Sequence, residues 1–326
     1  MGLVEIPEDF VVEEIPLFAP CGEGGHTFVR VEKRLCDTEG VARQLARHAG
    51  VPVREVGYAG RKDRVAVARQ WLSVPGLEPE RALGFEGRGF RVLEAVPHRH
   101  KLRTGQLRGN RFELRLRGVA AEQRARAEER LPELAQSGFA NRFGPQRFGR
   151  GGGNAALGRE ILRSGRSGPD RRAARFLVSA YQAWLFNAFL ARRGPPFDRL
   201  ETGERAWKHD SGATFVVDDE VACSQRARAG EISPSGPLIG TRMPQPKGQP
   251  AERESRWLRG WGAPDPLVPP PGLRLRGGRR PLRSFAADLS WHWEAAEVLL
   301  LGFTLAPGSY ASVLAEEILG LPPRPS

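Results

Sequence analysis

Between Glu55 and Glu78 the chain carries a single acid, Asp63, and it stands among Arg61, Lys62 and Arg64. Gly57 and Gly60 precede it, where glycine lets the backbone turn tightly or take positive φ. Neighbouring cations favour the charged form of a carboxylate, which predicts a pKa below the ordinary aspartate range. An ionised, positioned carboxylate can act as a nucleophile and is a poor general acid. A hydrated turn with local ion pairs, each contributing roughly 0–1 kcal/mol, accounts for the same spacing. On spacing alone the turn is the simpler reading. The basic residues are mostly arginine, and the lysines are Lys33, Lys62, Lys101, Lys208 and Lys247. That makes Lys62 stand out beside Asp63, because lysine is a compact point charge and arginine a planar fork.

A second stretch has the composition of a nucleic-acid contact. In "NRFGPQRFG", Asn141 to Gly149, the triplet Arg-Phe-Gly occurs twice. Asn141 and Gln146 bring amides able to read a base edge. Phe143 or Phe148 can stack on a base, worth roughly 1–3 kcal/mol, and the arginines can bind phosphate. Core anchoring of the phenylalanines, of Phe148 above all, is the competing expectation. Gly151 to Gly153 then lead into a helix start at Asn154, a geometry that can hold a phosphate through backbone N–H groups. No Gly-Lys-Ser/Thr follows, so this is not a P-loop. His98 and His100 lack further ligands at zinc spacing. "SWHW", Ser290 to Trp293, reads as core aromatic surface with His292 facing out.

These residues need elements to hold them. "DFVVEEI", "HTFVRVEKRL", "REVGYAG", "VARQWLSV", "FRVLEAV" and "NRFELRLRGV" read as strands, the last with Phe112, Leu114 and Leu116 inward. "DTEGVARQLARHAG" reads as a helix capped by Asp37 or Thr38 and ended by Gly50. Helices follow at "AAEQRARAEERLPELAQSG", interrupted by Pro132, and at "NAALGREILRSG". A long helix from about Arg171 to Arg193 carries an apolar face of Phe176, Leu177, Ala180, Trp184, Phe186 and Leu190. From Gly194 to about Arg283 Pro and Gly become frequent and periodicity weakens, which predicts a loop-rich separate unit. "RSFAADLSWHWE" and "EVLLLGFTLAPGS" resume as strands, and "YASVLAEEILG" closes as a helix capped by Ser309. Early and late strands with helices between them predict an α+β domain whose sheet the C-terminal segment completes.

The formal net charge of +12 favours a polyanionic partner. Three separated cysteines, Cys21, Cys36 and Cys223, fit a reducing cytoplasm. The start "MGLVEIPEDF" has no secretory features. "FLVSAYQAWLFNAFLA", from Phe176, is too short and too polar to span a bilayer. Nucleic acid is therefore the expected polyanion, and a membrane-surface role lacks an amphipathic basic helix.

"PEDFVVEE", "GYAGRKDRVAVARQW", "NRFGPQRFGRGGGN", "LSWHW" and "PGSYASVL" follow one another as they do in the TruD family of tRNA pseudouridine synthases, and the chain resembles that family from Pro7 to its last helix. The resemblance implies isomerisation of uridine to pseudouridine in tRNA, at position 13 of certain tRNAs, with no metal and no cofactor. It implies a cytoplasmic enzyme with tRNA as partner and no obligate protein partner. The implied fold is a pseudouridine synthase catalytic domain with a largely antiparallel sheet, residues 1–166 and 285–326, interrupted by a TRUD insertion domain at 167–284. Carried over by motif, Asp63 is the catalytic nucleophile, and Phe10, Asn141, Phe143 and Tyr310 are substrate-binding. Lys62 and Arg147 are the candidate charge partners of Asp63. The chain departs from the family at Tyr310, where Phe is frequent, at Ala68, where many relatives carry Thr, and in its short N-terminal stretch, where a leading strand is expected to be missing or replaced. A non-catalytic tRNA-binding protein or RNA chaperone on the same fold is the alternative. It has less need of an acid that repels phosphate.

Overall fold

The structure is a computed structural model that describes residues 6–322 and, of Arg150, the backbone alone. The stretch on which the expectation of a missing leading strand falls lies largely outside the described residues. In chain order the elements are β1 (Phe10–Pro16), β2 (His26–Lys33), α1 (Thr38–Ala49), β3 (Gly57–Tyr58), β4 (Val67–Pro75), α2 (Pro79–Leu83), β5 (Glu86–Gly87), β6 (Phe90–His98) and β7 (Leu107–Leu116). Then come α3 (Ala121–Ser137), β8 (Phe139–Ala140), α4 (Asn154–Ser164), α5 (Arg171–Arg193), β9 (Arg205–Lys208), β10 (Thr214–Val216), α6 (Glu220–Arg228) and β11 (Ile232–Leu238). The chain closes with α7 (Gly248–Gly260), β12 (Gly278–Pro281), β13 (Arg283–Ser284), β14 (Ala286–Ala295), β15 (Val298–Leu305) and α8 (Ala311–Leu319). They form two compact units, one of residues up to Glu128 with Ala286–Ala311, the other of Glu129–Phe285 with residues from Ser312 on.

The first unit is built on a nine-stranded sheet, counted among the described residues, in the order β14-β15-β7-β1-β4-β2-β6-β5 with β3 on β4. All of its described pairings are antiparallel except β1 with β4. The late strands β14 and β15 do complete the early sheet, as their position in the sequence predicted. Alternation sets one buried face. Opposite partners are Val31 with Gln70, Lys33 with Ala68, Glu14 with Asn110, Val12 with Phe112, and Phe112 with Phe303. α1 lies on this face and packs Val41, Ala42 and Leu45 on Val29, Val31, Leu72 and Val74. It starts at Asp37, whose carboxylate accepts the Gly40 N–H, and stops at Gly50 in left-handed geometry (φ 72°). Phe10 stacks on Phe112 at 5.8 Å, and Phe112 on Phe303 at 5.3 Å, making an aromatic row across three strands.

The second unit centres on α5, whose Ala174, Val178, Ala180, Tyr181, Ala183, Leu185, Phe186, Phe189 and Leu190 are all buried. Its predicted span is correct, but its apolar face is broader and rotated. Phe176 is exposed and Leu177 half-buried, because α4, β11 and α7 all pack against the helix. α4 approaches closely at Gly158, where a Cβ would overlap the Leu177 carbonyl.

The loop-rich expectation for 194–283 is also corrected. This stretch holds a four-stranded sheet, β10-β9-β11-β12, and two helices. Its strand β11 reads "ISPSGPL" and conceals itself behind two prolines. They are tolerated because Ile232–Pro234 pair with β9 and Ser235–Leu238 with β12, so each half needs a partner on one side only. Arg279, buried, forks onto Glu254 of α7 at 2.6 and 2.9 Å and reaches the Ser235 carbonyl, tying β12 to its neighbours. Trp291 is exposed rather than core, because β14 is the sheet's edge. Among the described residues no helix is long and apolar enough to cross a membrane.

Gly57 is the tightest point beneath the Asp63 loop. A Cβ there would overlap the Leu102 carbonyl oxygen and the Ser73 hydroxyl, which already receives the Leu102 N–H at 2.9 Å. Gly57→Ala is expected to lower stability by about 2–3 kcal/mol. A urea melt with unchanged slope and an unshifted midpoint would contradict that close fit.

Candidate active site

The Asp63 loop leaves β3 at Tyr58 and enters β4 at Val67. Its anchors are Ala59, Lys62 and Ala66, all buried, while Arg61, Asp63, Arg64 and Val65 are exposed. A loop pinned at alternate points presents the residues between them. Asp63 is thus fixed in place and open to solvent.

The three flanking cations do not serve Asp63. Arg61 pairs with Glu39 at 2.7 Å. Lys62 turns inward, its ammonium 2.7 Å from Glu14 and 2.7 Å from the Asn110 side-chain oxygen. Arg64 donates to the Leu35 carbonyl. Lys62 is therefore not the direct charge partner expected of it. Its stem reaches the buried sheet face, where the Glu14 carboxylate holds it. The cation at Asp63 is Lys33, fully buried at the end of β2, whose ammonium donates to the Asp63 carbonyl oxygen. Lys33 faces Ala68 across the β2–β4 ladder and shares its side of β2 with Val29 and Val31.

The electrostatics reverse the sequence expectation. Although Asp63 keeps an open surface, the protein atoms crowding its carboxyl push its pKa above the ordinary aspartate range, and the Lys33 ammonium pulls it part of the way back. Burial brings Lys33 down to about 8, against the opposing pull of Asp63, Cys36 and Asp37, with Lys62 adding to the drop.

The other expected residues divide between the two units. Phe10, half-buried, heads the aromatic row on the same sheet face as Glu14. Tyr310 is half-buried in the turn between β15 and α8.

In the second unit Asn141 is buried, and its amide is engaged by the fold instead of being offered to a base. Its oxygen accepts from Arg280 at 2.5 Å and its nitrogen donates to the Pro281 carbonyl at 3.0 Å. Gln146 is exposed. Phe148 anchors in the core with Ala155 and Ala183. Phe143 is half-buried, edge-on to Phe186 at 5.5 Å and under the Arg280 guanidinium at 4.1 Å. Asn187 of α5 brackets its peptide, accepting the Phe143 N–H at 2.8 Å and donating to its carbonyl at 3.1 Å. Arg147 belongs to this unit and lies over the rings of Phe143 and Phe176.

Lys33, Asn187 and Arg280 were missed by sequence reading. For Lys33 a signal was present. Val29, Val31 and Lys33 alternate on one side of β2, so the lysine had to be buried with the valines or end the strand. His98, by contrast, is structural. It accepts the Cys21 N–H, stacks on Phe18 and lies tilted against Phe28 at 4.3 Å.

The family model for tRNA pseudouridine synthase D (TruD) matches residues 1–168 and 170–318. The tRNA pseudouridine synthase D of Geotalea daltonii is 36% identical over 97% of this chain and 95% of its own length. That of Anaeromyxobacter sp. strain Fw109-5 is 40% identical (96% and 90%), and that of Thermus thermophilus 39% (96% and 87%). A solved TruD structure from Methanosarcina mazei superposes with a TM-score of 0.74 at 21% identity, covering 99% of this chain and 95% of that one, a likeness of fold.

The two ionisations at the loop predict a bell-shaped pH profile. Activity that needs Asp63 charged rises as pH passes its elevated pKa. Activity that needs Lys33 protonated falls as pH passes about 8. Lys33→Met should remove the alkaline limb and move the acid limb to higher pH, since the cation that lowers Asp63 is gone. An unaltered profile in that variant would exclude Lys33 as the charge partner.

Proposed function

Because the chain belongs to the tRNA pseudouridine synthase D (TruD) family, we propose that Asp63 is the carboxylate through which it works. The chain is an isomerase that converts uridine to pseudouridine in tRNA. The reaction breaks the bond from N1 of the base to the ribose, rejoins the ribose to C5, and moves one proton from C5 to N1. Atoms and electrons balance within the substrate, so no oxidant, reductant or co-reactant is consumed.

One observation carries the assignment of Asp63. It is the sole acid of a basic loop, held open to solvent by buried residues on either side, with a buried ammonium behind it. A carboxylate in that position can attack the sugar or the base, or take a sugar proton while the glycosidic bond breaks. Uridine within a structured tRNA must leave its stack first, at a cost of a few kcal/mol. Phosphate contacts from the basic surface supply binding that offsets this cost. Phe10, Phe143 and Tyr310 are proposed as substrate contacts, with Asn141 shaping the loop that carries Phe143. Position 13 of the tRNA as target, and the cytoplasm as location, follow from the family resemblance and remain part of this proposal. Residues 167–284 are proposed as an insertion within a discontinuous catalytic domain, whose segment 129–166 packs with the insertion in the second compact unit. Limited proteolysis with first cuts near 167 and 284 would support these bounds, whereas cuts near 129 and 311 would replace them.

Tritium release from tRNA labelled at uridine C5 tests the assignment. Asp63→Asn should lose at least about 1,000-fold in rate with tRNA binding retained, and wild-type release from this variant would sink it. Phe143→Ala should lower turnover about 10–100-fold while keeping most tRNA affinity, since phosphates supply the affinity. Unchanged turnover would remove its stacking role. Binding without release by the wild type across a full tRNA pool would instead favour the chaperone.

A further inference from the structure

The residue before Asp63 enters a polar cluster in which Glu14, Thr38, Lys62 and Gln70 are buried and Asn110 is half-buried. The Lys62 ammonium lies between the Glu14 carboxylate and the Asn110 amide oxygen, both at 2.7 Å. The two charged side chains of this pair are 5% and 1% exposed. The second Glu14 oxygen accepts the Trp71 N–H at 3.3 Å. The Lys62 backbone N–H donates to the Thr38 hydroxyl at 2.9 Å, and that hydroxyl donates to the Gln70 side-chain oxygen at 2.9 Å. Beyond Lys62, the Asp63 carbonyl is held by Lys33. Two residues of loop are therefore tied to β1, β7, α1 and β2 at once.

Stability alone does not account for such a pair. Removing two charges from water is costly, and well-packed apolar residues of similar volume commonly serve a fold as well or better. In some proteins buried ionic groups are retained because they fix one arrangement of their partners, which an apolar pair does not demand. Here the arrangement fixes the main chain at Lys62 and at the Asp63 carbonyl.

We propose that Lys62, Glu14 and Asn110 are positioning residues for the isomerisation, a cluster that sets the height and direction of Asp63 without touching the substrate. The proposal rests on Asp63 being the reacting carboxylate. It assigns Lys62 a role different from charge compensation, which falls to Lys33. Displacing a reacting group by about 1 Å can cost about 100-fold in rate, so loosening this cluster should appear in the chemical step and not in substrate affinity.

The test uses the full chain carrying Lys62→Met, Glu14→Gln, or both, with single-turnover tritium release, tRNA affinity and Tm measured on each. Each single variant should react about 100-fold more slowly with tRNA affinity within about twofold of wild type. Each should melt about 5–10 °C lower, because one member of a buried pair is left alone. The double variant removes both charges, so its Tm should return most of the way. Its rate should stay low. Recovery of rate together with Tm would make the pair a stability element and overturn the proposal. Asn110→Ala, which leaves the ion pair intact and folds more securely, should slow the step about tenfold, and a wild-type rate there would also count against it. Asp63→Asn, run alongside, separates the two failures. A fast Asp63→Asn variant defeats the reading of Asp63 and this inference with it. An inactive Asp63→Asn beside a fast Lys62→Met defeats the positioning role alone.

Discussion

The register of β4 between β1 and β2 is the constraint from which the candidate site follows. A strand's side chains alternate, so a one-residue slip would move every buried group of β4 to the other face. In the observed register Gln70 lies opposite Val31 and Lys33 opposite Ala68. Glu14, just past the β1–β4 pairing, takes the Trp71 N–H with its carboxylate. The polar residues that grip the Asp63 loop thus share one face with the valines and leucines under α1. Hydrophobic burial fixes the register, and the register brings the polar groups into contact with the loop. The site is specified by the core, and neither could be rebuilt separately.

Desolvation and charge then act against each other at Asp63. Crowding by protein raises the pKa of a carboxyl, and a nearby ammonium lowers it. The sequence suggests that the second effect dominates, because three cations adjoin Asp63 along the chain. In space Arg61, Lys62 and Arg64 each have another partner, and one buried lysine thirty residues away remains to oppose the crowding. Sequence neighbours on a tight loop point in different directions, so adjacency along the chain is a poor guide to adjacency of charge. A carboxylate that is less thoroughly stabilised is also a stronger nucleophile, which suits the role proposed for it.

Much of the fold was legible because the signals were local. Asp37 and Gly50 marked both ends of α1, alternation marked β7, and α5 was placed from Arg171 to Arg193 by its apolar density. Where the reading failed, the deciding partner was distant in sequence. β11 hides behind Pro234 and Pro237, and only its split pairing with β9 and β12 makes a strand possible. Trp291 looked like core until β14 proved to be an edge. Asp63 and Phe143 stood out as candidates by type and spacing, and the family resemblance gave them their expected roles. Their keepers Lys33, Asn187 and Arg280 were not, since a lysine on a strand, an asparagine in a helix and an arginine in a proline-rich stretch each have an ordinary surface explanation.

The bracket that Asn187 places around the Phe143 peptide has an evolutionary consequence. Asn187 and Arg280 both fall in the span 167–284, yet the loop they hold, Asn141 to Gly149, precedes it. The stretch 167–284 is therefore not free to drift in sequence independently of the loop it holds. Grafting a relative's segment into this chain would have to bring an amide and a guanidinium to those two places, or the loop would lose its template. Any change of sequence at Asn187 or Arg280 would thus need a matching change in the Asn141 to Gly149 loop.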